Sequence, residues 1–120
     1  MQLDFDAVIV AHRKWKDRIR DGILNNSLVD WRTVEPDDRC DLGKWIQAQQ
    51  GALGTNPEFQ FLRDQHRRFH LTAAETIKAA AGLPQDKALA LLELGTPYNT
   101  ASAACVSAIV ALRNKVRATV

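Results

Sequence analysis

Residues 61–75 are "FLRDQHRRFHLTAAE". Leu62, Phe69, Ala73 and, just beyond the stretch, Ile77 recur at helical spacing, so the segment is the middle of an amphipathic helix. His66 and His70 fall on the same face, four residues apart, where the pattern asks for leucine. The ends of this helix are marked. In "NPEF", Asn56 is a cap, Pro57 suits the first helical position and Glu58 the first turn; "GLP" at 82–84 stops the helix after about Ala81.

The same turn chemistry divides the rest of the chain into helices, with no convincing strand. A first helix is expected from about Asp4 to about Asn25, with Phe5, Val8, Ile9, His12, Trp15, Ile19 and Ile23 on its apolar face. "LVDWRTVEP" reads as a connector with a short helical turn after Asp30. Pro36, Asp37 and Asp38 are expected to open a second helix, "RCDLGKWIQAQQ", with carboxylates at the positive end of its dipole and Gly51 and Gly54 closing it. A short helix is expected from Gln85 to Leu94, ended by Gly95. "TP" at 96–97 starts a last helix whose stripe runs Tyr98, Ala101, Cys105, Ile109, Leu112, Val116. The expected fold is all-α: a four-helix bundle with additional short helical segments, in a single domain over 1–120.

Composition sets outer limits. A net charge of +2 gives no nucleic-acid footprint, and Arg63, Arg67 and Arg68 read as a solvated face. No apolar run approaches the ~20 residues of a membrane span. "MQLDFD" lacks a secretory leader pattern, and two cysteines in unlike contexts are no disulfide framework. The expectation is a cytoplasmic protein with neither nucleic acid nor membrane as partner.

A single histidine on an apolar face is ordinarily a satisfied core residue. Two at i and i+4 project side by side and can converge on one point, as zinc ligands do, whereas burying both without such a partner doubles the donors and acceptors to be satisfied. Further ligands must come from other segments. His12 lies on the stripe of the first helix and Cys40 in the expected first turn of the second. Three neutral imidazoles, one thiolate and a divalent ion sum to +1, a charge that would favour the thiolate form of Cys40. Cys105, mid-stripe among alanines, reads as a small core residue.

Three motifs resemble the chemoreceptor zinc-binding (CZB) domain family: "AHRKWKDRI" (11–19), "DDRCDLGKW" (37–45) and "LRDQHRRFHLTAA" (62–74). The family pattern, a His before a Trp-Lys pair, then Cys-x-Leu-Gly-x-Trp, then His-x-x-x-His, falls on His12 with Trp15 and Lys16, on Cys40 with Leu42, Gly43 and Trp45, and on His66 with His70. "TPYNTASAACVSAIVAL" (96–112) is similar to the family's closing helix. The resemblance implies a helical bundle holding one zinc through three histidines and one cysteine. It further implies a homodimer attached to bacterial chemoreceptors or diguanylate cyclases and associated with sensing of zinc or of oxidants such as hypochlorous acid. No long-heptad receptor hairpin and no "GGDEF" residues occur in this chain, so the output would be a partner in cis or in trans.

Other residues carry two readings each. Gly43 serves close packing beside the metal or is a weak spot in a short helix. Trp15 and Trp45 wall the site or fill core. Asp37, Asp38, Asp41 and Asp64 are candidates to accept a ligand imidazole N–H, with capping the simpler role for Asp37 and Asp38 and surface charge for Asp64. Hydrolase chemistry is disfavoured because Arg67 stands where a His-Glu-x-x-His enzyme places its base. A di-iron bundle would need inward carboxylates, which the stripes lack. The expectation is no enzyme but a regulatory module with Cys40 as switch; a purely structural zinc staple for dimerisation is the competing reading.

Overall fold

Capping residues set the helix ends of the computed structural model, which describes residues 3–118 of the 120. The expected single domain thus includes four terminal positions (1, 2, 119 and 120) outside the described residues. The described residues form α1 (Phe5–Leu24), α2 (Trp31–Val34), α3 (Asp41–Leu53), α4 (Pro57–Ala81), α5 (Gln85–Ala90) and α6 (Pro97–Ala118), with no strand among them. Asp4 caps α1 by accepting the Ala7 N–H at 3.0 Å, Asp30 caps α2 and Asn56 caps α4. Asn26, just past α1, takes the left-handed conformation (φ 56°) that asparagine tolerates better than most residues.

α4 is the axis of the fold. It lies along α6, is crossed by α2, and meets α3 and α5; α1 packs on α6 and α5, giving a bundle of 49 × 24 × 20 Å. Its inward residues Phe59, Leu62, Phe69, Ala73 and Ile77 are fully or nearly fully buried, joined by Ile19, Val34, Tyr98, Ile109 and Leu112 from the neighbours. Each large apolar side chain so buried stabilises the fold by about 1.5–3 kcal/mol. Because α4 has neighbours on several sides, His66 and His70 on its apolar face are necessarily enclosed.

Three boundaries differ from the sequence reading. α3 begins at Asp41 rather than near Pro36, and its cap is Cys40 itself, in extended conformation, its Sγ accepting the Gly43 N–H at 3.3 Å. Asp37 and Asp38 therefore do not cap; they lie in an irregular segment whose main chain packs on α3. α3 also runs through Gly51 to Leu53, and only Gly54 closes it. α5 ends at Ala90, and residues 91–95 form turns that bury Leu92 but leave Leu94 90% exposed. The α6 stripe runs out before Val116, which is exposed; here α6 is flanked by the first turn of α1, with Arg113 and Arg117 paired to Asp6.

Candidate metal centre

The site grows from the point where the N-terminus of α3 meets the middle of α4. Residues 36–40 form no regular structure, and the Asp37 carbonyl is pressed against α3 where a Cβ on Gly43 would collide with it. That close approach requires glycine, and it seats Cys40 over α4.

Three side chains converge. Cys40 Sγ lies 3.2 Å from His66 Nε2 and 3.7 Å from His70 Nε2, and the two Nε2 atoms are 3.1 Å apart. All three donor atoms fall within 4.8 Å of one another, with both histidines buried and Cys40 half-buried. Ligands at about 2.0–2.3 Å from a tetrahedral zinc would stand roughly 3.3–3.7 Å apart; the edges of this triangle, 3.1, 3.2 and 3.7 Å, approach one face of such a site, two of them slightly short. The donor chemistry fits as well. His70 Nδ1 is 2.6 Å from the Val34 carbonyl, which can only accept, so the proton is on Nδ1 and the Nε2 lone pair faces the cluster.

Electrostatics point the same way. Burial, then the neighbouring His70 and His12, lowers the His66 pKa to about 3, and burial above all lowers that of His12 to about 4. Both rings are neutral at physiological pH, as metal ligands must be. Burial pushes the Cys40 thiol above its usual range, against the opposing pull of the Gly43 N–H. A thiolate at this place needs a cation as partner.

The fourth candidate is placed differently. His12 is buried on α1 and packs against Phe69 with ring centroids 4.2 Å apart, but neither of its ring nitrogens belongs to the three-atom cluster. Its Nε2 instead lies 2.9 Å from Ser102 Oγ on α6. His12 and Cys40 face a cleft of about 500 Å³ that also touches His66 and His70 and is walled by Val8, Trp15 and Leu42. Trp15 thus lines the approach to the site, with Arg18 stacked on its ring at 4.2 Å. Trp45 does not: it packs between Phe5 and Phe59, ring centroids 6.0 Å from each, partly buried against the core.

No carboxylate accepts an imidazole N–H among the described residues. Asp64 is exposed and pairs with Arg63, Asp41 heads α3, and the Asp37 contact to Cys40 runs through its main-chain carbonyl. The acceptor role expected of an aspartate falls to the Val34 carbonyl for His70, and Ser102 is the hydrogen-bond partner of His12. A main-chain acceptor leaves no mark in the sequence, and Ser102 stands in a run of small residues that looks like packing alone.

A helical bundle that brings a half-buried thiol and two buried imidazoles to one point is a metal-binding domain suited to a borderline-soft divalent ion. The chain belongs to the chemoreceptor zinc-binding domain family, whose model matches residues 12–77, and zinc is its cofactor. That segment contains His12, Cys40, His66 and His70 and ends before α5 and α6. Comparison with curated proteins and with solved structures returned no match. Domains of this family belong to chemoreceptor-like signalling proteins, not to a catalytic family. No helix of the described residues is long and apolar enough to cross a membrane.

Proposed function

We propose that residues 1–120 act as one zinc-binding regulatory domain of bacterial signalling, holding one zinc per chain through His12, Cys40, His66 and His70. The observation that carries this reading is the convergence of Cys40, His66 and His70 within 4.8 Å from two separately anchored supports: the α3 cap, and α4, which is tied to α2 through the His70–Val34 hydrogen bond. Zinc bound there would stabilise the Cys40 thiolate and join these segments. Structural zinc sites contribute about 10–16 kcal/mol in zinc-finger peptides. Whole domains are stable by only about 5–15 kcal/mol. Occupancy of the site would therefore dominate the arrangement of α3 against α4.

Cys40 is the residue through which a stimulus acts. Its side chain is half-buried and faces the open cleft, whereas the histidines lie deeper. A two-electron oxidant such as hypochlorous acid converts its thiolate to sulfenic acid and is itself reduced to chloride, which removes the only anionic donor. A fall in free zinc has the same consequence for the α3 cap. The domain is cytoplasmic, not an enzyme, works as a homodimer, and acts on a chemoreceptor or diguanylate cyclase in cis or in trans. Native mass spectrometry before and after one equivalent of hypochlorite tests this: one zinc per chain in a dimer, released on oxidation and regained on reduction, is expected. Zinc retained after oxidation of Cys40 would instead favour a permanent structural staple, a reading to which the burial of both histidines also lends itself.

A further inference from the structure

His12 engages a residue that lies outside the family-matched segment. Its Nε2 and the Ser102 hydroxyl are 2.9 Å apart across 90 residues of chain, joining α1 to α6. Among the described residues, the Ser102 hydroxyl has no other hydrogen-bond partner than the His12 ring. Yet His12 lines the same cleft as Cys40, His66 and His70 and packs on Phe69, the residue that precedes His70. Its ring is beside the donor cluster and turned to a different partner.

We propose that Ser102 and the metal compete for the His12 ring, so that Ser102 sets how tightly the domain holds zinc. The inference rests on the reading above that His12 is the fourth ligand. A ring cannot coordinate in the cluster while it keeps its present hold on Ser102, since neither nitrogen reaches all three donors in that pose. The ring already lines the cleft that the three donors share, so coordination requires it to turn from Ser102 toward them. The cost of leaving Ser102 is one neutral hydrogen bond, which corresponds to about a 2- to 10-fold weakening of zinc affinity. The competition also ties α6 to the site. α6 lies along α4, which carries His66 and His70, so a shift of α6 that tightens the His12–Ser102 contact loosens the metal, and by linkage metal binding releases α6 from α1 at that contact.

The alternative geometry, in which Ser102 orients His12 for the metal, predicts the opposite sign, because losing an orienting partner typically weakens metal binding 10- to 100-fold. The test is the zinc dissociation constant of the full chain, measured by competition with a chromophoric chelator, for wild type, Ser102→Ala, Ser102→Thr, His12→Ala and the double variant His12→Ala/Ser102→Ala. Circular dichroism would verify that each variant is folded. Ser102→Ala is expected to bind zinc about 2- to 10-fold tighter. Ser102→Thr, which keeps the hydroxyl, should stay near wild type. His12→Ala should bind more weakly, and adding Ser102→Ala to it should change nothing. Unchanged or weakened binding in Ser102→Ala, with His12→Ala still weaker, overturns the competition alone. Wild-type affinity in His12→Ala removes His12 from the ligand set and overturns both readings.

Discussion

His70 Nδ1 donates to the main-chain carbonyl of Val34 at 2.6 Å, so the four-residue helix α2 fixes which nitrogen of a buried histidine faces Cys40. Val34 is fully buried against α4, and its carbonyl cannot exchange the proton for a lone pair. The tautomer of His70 is thus decided by packing thirty-six residues away in the chain. Its Nε2 is left as an acceptor 3.1 Å from that of His66.

Removing either member of this pair should empty the site. His66→Ala and His70→Ala are expected to lose stoichiometric zinc, whereas Cys105→Ala, which alters a fully buried thiol outside the cluster, should keep it. Elemental analysis of the purified variants decides the matter; a full zinc complement in both histidine variants would mean that other side chains hold the ion.

Gly43→Ala should disturb the site without touching a ligand. The added Cβ would collide with the Asp37 carbonyl and press on the Asp38 main chain, which seats Cys40. A loss of about 1–3 kcal/mol in urea unfolding is expected, with weaker zinc binding. Gly51→Ala, in the same helix with open space around it, is the control and should gain roughly 0.5–1 kcal/mol.

How far the sequence discloses this depends on whether the signal is local. The ends of α4 are legible because Asn56, Pro57 and Gly82 act on their own neighbours, and the pairing of His66 with His70 follows from helical spacing alone. The start of α3 was not legible. Pro36 with two aspartates is a good helix opening in isolation, but the Asp37 carbonyl packs on Gly43 instead, and a cysteine takes over as cap. The partners of the imidazoles were hidden for a related reason: one is a carbonyl, the same in any residue, and the other a serine ninety positions from its histidine. Trp45 shared a motif with Cys40 and yet faces Phe5 and Phe59, since residues five apart on a helix point to different sides.

Tyr98→Phe should cost nothing. The Tyr98 hydroxyl is buried with no hydrogen-bond partner among the described residues, so its desolvation is uncompensated, and the ring contact to Phe69 survives the change. Stability is expected to stay level or to rise by up to about 1 kcal/mol in chemical denaturation. A fall larger than that would point to a partner for the hydroxyl in solution.

The two cysteines should differ sharply toward alkylation. Burial raises both thiols, Cys105 to about 12, and Cys105 is also wholly inaccessible. Iodoacetamide on chelator-treated protein at pH 8 is expected to label Cys40 and spare Cys105 until the chain is unfolded. The Cys40 rate should climb as pH rises, because more of its raised thiol ionises; zinc should protect it. Mass spectrometry of the peptides reads the outcome, and labelling of Cys105 at a comparable rate would contradict its place in the core.

Zinc K-edge X-ray absorption on the purified full chain, with the metal quantified on the same sample, probes the centre most directly. The predicted result is one zinc per chain with a single sulfur at about 2.3 Å and three nitrogens at about 2.0–2.1 Å. A first shell without sulfur, or a chain that takes up no zinc, would contradict it.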